Sequence, residues 1–118
     1  MTTASIAASN PPADDPDDLR YPNHVVFFQD FLAPAYARDL DSGLYKWCAK
    51  WRYHPEANER IDSLWRAYEI QSQDSGTGMA KWWVQWADPI MHKLMDPTGC
   101  FSGCGPTRHT VWEPLPDY

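Results

Sequence analysis

The fold is decided by residues 47–68, WCAKWRYHPEANERIDSLWRAY, where an aromatic-rich segment with one thiol and one imidazole leads directly into a helix. Pro55 suits the first helical position, because the N–H that proline lacks would have no partner there in any case. One apolar stripe then follows at helical spacing: Ala57, Ile61, Leu64, Trp65 and Tyr68. Two pairs of opposite charge lie four residues apart, Glu56–Arg60 and Asp62–Arg66. We predict a helix over residues 55–72, with these ion pairs on its solvated face.

A preceding helix is predicted over residues 24–33. Asn23 is placed to cap it, and its apolar residues recur at helical spacing. The run Val25–Phe28 would also suit a strand. Pro34 disfavours helical geometry at Ala33, so the helix should stop or bend there.

A broad apolar stripe after the Gly-rich break at residues 74–78 predicts further helix between Met79 and Leu94. Pro89 lies inside this stripe, where it removes a hydrogen bond and collides with the carbonyl of Gln85. Either the helix kinks, or Asp88 caps a fresh helix that begins at Pro89. We favour the second, because Asp-Pro is a good pair for the cap and first helical positions.

The two ends differ from this helical centre. Residues 1–22 are rich in Ala, Ser, Pro and Asp and bury too little apolar surface to fold, so we predict a disordered acidic tail. From residue 97 the chain is rich in Gly and Pro and should be irregular. We therefore expect a mostly α fold: a single helical domain of three to four helices over residues 23–118.

Composition excludes several classes of function. With a net charge of -6, the chain lacks the overall positive charge expected of a protein that binds the phosphate backbone, so nucleic acid is disfavoured as a partner. Such binding would need a local basic face built from Lys46, Lys50, Arg52 and Arg60. No run of apolar residues is long enough to cross a membrane. The N-terminus has neither the basic flank nor the apolar stretch of a secretion signal, so we do not expect one. We expect a cytoplasmic protein, in which the 3 cysteines would be free thiols or metal ligands.

The 7 tryptophans allow two interpretations. Most fall on helical apolar stripes, which favours a core filled with large rings. The alternative is an aromatic recognition surface for a protein partner, and its candidates are Trp51, Trp82, Trp86 and Trp112.

One set of side chains could bind a metal: Cys48, His54, Cys104 and His109. Two sulfurs and two imidazoles suffice for a closed tetrahedral zinc site, which would hold down the irregular C-terminal chain. The spacings Cys-x5-His and Cys-x4-His are not those of tight zinc knuckles. They favour the simpler interpretation, in which Cys48 is a small buried hydrophobe, His54 a helix cap and His109 a surface residue.

A nucleophilic thiol is a further alternative. It would pair Cys104 or Cys100 with His109 or His92, since a thiolate needs a nearby base or cation. Nothing in the spacing requires such a pair, and we place it below the metal site.

The motifs together resemble the family called domain of unknown function 4913 (DUF4913). They are Trp47-Cys48-x-x-Trp51-x-x-His54-Pro55-Glu56-Ala57, Leu64-Trp65-Arg66-Ala67-Tyr68-Glu69, Thr77-Gly78-Met79 with Trp82-Trp83, Asp88, Asp96-x-x-Gly99-x-Phe101-x-x-Cys104, His109 and Leu115-Pro116. The resemblance covers residues 25–116. Trp86 stands where the family pattern has a histidine, and Cys100 where it has a proline.

The resemblance implies a genomic setting, in actinobacterial phages, plasmids and integrated elements, but no chemistry. We therefore expect a non-enzymatic accessory or protein-interaction domain of a phage or mobile element. Its partner would be a phage, element or host protein, and a role in the virion is left open. The alternative function is that of a small zinc-binding protein or a Cys/His thiol enzyme.

Overall fold

The computed structural model of the protein describes residues 18–117, so most of the predicted disordered tail, residues 1–17, lies outside it. Over the described range the chain is mostly helical and has no strand, which confirms the predicted fold class. Helix α1 joins the segments His24–Phe27, Phe28–Leu32 and Ala33–Ala35; α2 is Pro55–Gln71; and α3 joins Gly78–Lys81, Trp82–Ala87 and Asp88–Met95. Residues 96–117 contain no helix and form the predicted irregular segment.

Helix α2 has the form that its sequence predicts. Pro55 occupies the first turn, and all five residues of the apolar stripe are buried. Both ion pairs form on the outer face, Arg60 Nε to Glu56 at 2.9 Å and Arg66 Nε to Asp62 at 3.0 Å. The helix ends at Gln71, one residue short of the prediction.

Helices α1 and α3 each contain a π-helical turn next to a proline. In α1 the N–H of Ala33 donates to the carbonyl of Phe28, five residues back. In α3 the N–H of Asp88 donates in the same way to Trp83. Such a widened turn accommodates the following proline, which offers no N–H and crowds the carbonyl of the preceding turn.

The predicted new helix start at Pro89 is therefore wrong. Asp88 has helical backbone angles (φ -61°, ψ -49°), and α3 continues through it. Its carboxylate does not cap a helix but accepts a hydrogen bond from the Tyr36 hydroxyl, which joins the end of α1 to the middle of α3. Asn23, by contrast, caps α1 as predicted, accepting from the Val26 N–H at 2.9 Å; α1 then continues past Ala33 to Ala35.

Aromatic rings from all three helices meet in the core. The Phe27 and Tyr68 rings are 5.2 Å apart between centroids, and Tyr68 and Trp82 are 5.5 Å apart. Trp82 is completely buried, and its indole N–H donates to the Leu64 carbonyl at 3.0 Å. This bond gives the buried indole N–H a hydrogen-bond partner, which a buried polar group needs. The core interpretation of the tryptophans therefore holds at the centre of the domain.

The chain just before α1 lies against the domain, although we assigned it to the tail. Leu19 and Tyr21 pack on the core. The buried Glu69 carboxylate accepts the backbone N–H of Arg20 at 2.8 Å and of Tyr21 at 3.1 Å. The Trp65 indole donates to the Tyr21 carbonyl at 3.1 Å. Helix α2 thus fixes the path by which the chain reaches α1.

Replacing Glu69 by Gln should weaken this attachment. The neutral amide has one acceptor oxygen for two N–H donors, so one backbone group loses its partner, at about 2 kcal/mol. We expect that loss in urea unfolding, together with faster amide exchange at Arg20 and Tyr21. Glu59→Gln, on an exposed position of α2, is the control and should stay within about 0.5 kcal/mol of wild type. Equal effects of the two substitutions would contradict this account.

Candidate metal centre

Four side chains distant in sequence meet at the start of α2. The sulfurs of Cys48 and Cys104 and one ring nitrogen each of His54 and His109 all lie within 4.8 Å of one another. The Cys48 Sγ is 3.1 Å from His109 Nδ1, and the Cys104 Sγ is 3.5 Å from His54 Nε2. The structure thus brings together all four residues of the metal site considered from the sequence.

The turn before α2 positions His54. Trp51 is buried, with its ring 4.8 Å from that of Phe28 in α1, and it begins the 3-10 turn Trp51–Tyr53. His54 follows in extended geometry, and its carbonyl accepts the Asn58 N–H at 2.9 Å. The His54 side chain makes no capping bond. The His54 ring instead packs against the Phe101 ring. The two ring centroids are 4.8 Å apart, and the ring planes are nearly perpendicular.

The C-terminal chain supplies the other two residues through a tight turn. Phe101 is fully buried, and its carbonyl accepts the Cys104 N–H at 2.9 Å. A turn then pairs Gly105 with Arg108, whose backbone groups exchange hydrogen bonds of 2.8 and 3.3 Å. This reversal returns the chain so that His109 lies beside His54, with ring centroids 4.9 Å apart.

A close packing contact holds the returning segment. The Trp112 indole donates to the Ser102 hydroxyl at 3.0 Å. A Cβ at Gly103 would lie 2.9 Å from the Thr110 Cβ and 3.1 Å from the Trp112 ring. Only glycine at position 103 therefore lets the two segments of this turn approach so closely.

The local electrostatics act differently on the histidine and on the thiols. Burial raises the pKa of the Cys48 thiol, opposed by the backbone N–H of Lys50 at the sulfur, and neighbouring Cys104 adds to the rise. Burial also lowers the pKa of His54, which favours the neutral imidazole that binds metals. The Thr110 N–H lies 3.5 Å from the Cys104 Sγ. Each sulfur thus has one backbone N–H nearby, while the Cys104 thiol also lies 3.5 Å from the Thr110 carbonyl, to which it donates.

The arrangement fits a four-coordinate ion. Zn–S bonds of about 2.3 Å and Zn–N bonds of about 2.0–2.1 Å imply ligand-to-ligand distances of about 3.3–3.8 Å in a tetrahedron. Two of the ligand-to-ligand distances, 3.1 and 3.5 Å, are close to this range. The atoms up to 4.8 Å apart would have to move inward by about 1 Å. The cluster could therefore hold a metal ion.

The thiol pairs considered from the sequence are arranged differently. Cys100 lies outside the four-residue cluster, and burial, with a contribution from Glu56, raises its pKa to about 11, so it stays a thiol. His92 is exposed on α3. Cys104 is completely buried, and its sulfur contacts the His54 ring. A buried thiol is poorly placed to attack a substrate.

The predicted surface of four tryptophans does not form. Trp51 and Trp82 are in the core, with 4% and 0% of their surface exposed. Trp86 is half-buried, and Trp112 is exposed. The exposed large apolar side chains of the described residues are, besides Trp112, ones that the sequence did not single out: Leu40, Leu44, Tyr53, Ile70, Val84, Val111 and Leu115.

Gly103→Ala tests the packing of the C-terminal turn without touching a candidate ligand. The added methyl group must displace Thr110 or Trp112, so we expect a loss of about 1–3 kcal/mol in denaturant unfolding. Gly105→Ala, in the same turn, is the matched control, because its Cβ would meet nothing within 4 Å. Indistinguishable unfolding curves for the two variants would show that this contact does not form.

No helix within residues 18–117 combines the length and the apolar character needed to cross a membrane. Comparison with curated proteins and with solved structures gave no match. The model of the family described as "Domain of unknown function (DUF4913)" matches residues 21–117, most of the chain. The chain belongs to the DUF4913 family.

Proposed function

We propose that this protein is a zinc-binding domain in which one ion fastens the C-terminal chain to the helical core. One observation carries the proposal: two cysteines and two histidines, from segments about fifty residues apart, present their ligand atoms within 4.8 Å of one another. Within residues 18–117 this is the only such group of three or more potential ligands.

The chemistry of the ligands favours zinc. Thiolate and imidazole are soft and borderline ligands, and a mixed Cys2His2 set is typical of structural zinc sites. Two thiolates balance the charge of Zn²⁺, so the partly buried centre would carry no net charge. The thiols would release their protons on binding, which the nearby N–H groups of Lys50 and Thr110 support.

A structural role is favoured over a catalytic one. A catalytic zinc ion keeps one position open for water or substrate, whereas four protein ligands complete a tetrahedron. Three of the four ligands are buried, and only His109 is exposed. The buried sulfurs also argue against the thiol-enzyme alternative.

The C-terminal segment is the part of the fold that most needs such an attachment. Residues 105–117 form no helix, and most of them are exposed. A chain with so little buried apolar surface gains little from the hydrophobic effect, so it needs another source of order. Metal binding supplies that free energy directly, because the site exists only when the chain is folded.

The interaction role inferred from the family resemblance, in a phage or mobile element, remains a proposal. Its support is the exposure of Val111, Trp112 and Leu115 in the segment that the metal would hold. A fixed segment presents such side chains to a protein partner with less loss of entropy than a free one.

Elemental analysis tests the metal directly, on protein purified without chelator or affinity metal. We expect about one zinc per chain in the wild type and almost none in Cys104→Ser. Removing zinc from the wild type with a chelator should lower the melting temperature by about 10 °C or more.

Two further variants make this experiment decisive. Cys100→Ser removes a thiol outside the cluster and should retain the zinc. His109→Ala removes the exposed ligand while leaving the core intact, and should lower zinc affinity even if Cys104→Ser fails to fold. A wild-type protein without zinc that also fails to bind added Zn²⁺ would rule out the proposal.

A further inference from the structure

A second site lies away from the metal centre, in a cavity between α1, α3 and the chain that leaves α1. It encloses about 190 Å³. Its lining is largely apolar and contains no acidic residue: Phe28, Ala33, Tyr36, Ala37, Arg38, Leu40, Trp47, Met91 and Met95. Ala37, Arg38 and Leu40 in this lining are exposed, so a ligand could reach the cavity from solvent without unfolding the domain.

The lining contains one positively charged side chain, that of Arg38. Arg38 is exposed, and its guanidinium carbon lies 5.5 Å from the Tyr36 ring centroid and 5.8 Å from that of Tyr45. Two cation–π contacts thus hold the group beside the cavity. Arg38 makes no ion pair within residues 18–117, and its side chain donates to the Ala37 carbonyl at 3.0 Å. Its remaining N–H donors are available to a ligand.

The other polar group of the lining is already satisfied. Tyr36 is buried, and its hydroxyl donates to Asp88. Tyr36 therefore contributes the apolar face of its ring to the lining, and its hydroxyl is not free to donate to a ligand. Met91 and Met95 contribute flexible side chains that adapt to different apolar shapes. The site offers an adaptable apolar interior with a single positive group at its edge.

We propose that this cavity binds a small carboxylate with an apolar body of about one aromatic ring. An apolar cavity of roughly 150 Å³ can hold benzene. The volume of this cavity, about 190 Å³, is therefore enough for one aromatic ring and a short chain. The ligand's carboxylate would pair with the guanidinium of Arg38, which matches its planar geometry. This pairing selects an acid over a neutral molecule of the same shape. The proposal does not depend on the metal.

The test uses the full chain with methionine methyl groups labelled with carbon-13. The probes are 3-phenylpropionate and its neutral counterpart 3-phenyl-1-propanol. Phenylpropionate should shift the Met91 and Met95 methyl signals saturably, with a dissociation constant of about 1 mM. Met79, in α3 but outside the cavity lining, should not respond. The alcohol should bind roughly fivefold more weakly, as expected for a partly exposed ion pair.

Arg38→Gln should weaken phenylpropionate binding by the same factor, roughly fivefold, and leave the affinity for the alcohol unchanged. Arg66→Gln is the matched control, since Arg66 also lies over an aromatic ring, 5.5 Å from Trp65, but outside this cavity. It should bind both probes as the wild type does. Equal affinity for acid and alcohol, an Arg38→Gln effect of equal size on both probes, or no saturable shift would overturn the proposal.

Discussion

The C-terminal part of this structure meets the start of α2 where Cys104 and His109 approach Cys48 and His54. The three helices have a core of their own, in which Phe27, Tyr68 and Trp82 bring together rings from each of them. The chain after α3 has no such core. Besides Cys104, Phe101 is its main buried attachment, so a bound ion would join the two parts.

The helices were largely predictable because their signals are local. Pro55, the apolar stripe of α2 and the Asn23 cap act within a few residues, and each behaves as its pattern indicates. We expected the chain to stop or bend before Pro34 and to begin a new helix at Pro89, but the local pattern did not reveal the π-helical turn before each proline, through which the helix continues. Asp88 shows the same limit: its carboxylate contacts Tyr36, fifty-two residues away, rather than the neighbouring backbone.

The candidate site was only partly predictable. The four ligand types were evident, but the two Cys–His spacings correspond to no standard zinc motif. Their convergence arises from the reversal between Gly105 and Arg108 and from the burial of Phe101 beside His54, neither of which is encoded by spacing. The cavity beside Arg38 had no signal in the sequence, because its lining comes from α1, the following loop and α3.

Zinc K-edge X-ray absorption on the zinc-loaded protein tests the central claim most directly, because it counts and identifies the ligands. The account predicts a four-coordinate ion with two sulfurs at about 2.3 Å and two nitrogens at about 2.0–2.1 Å. A shell dominated by oxygen, or one without sulfur, would contradict it.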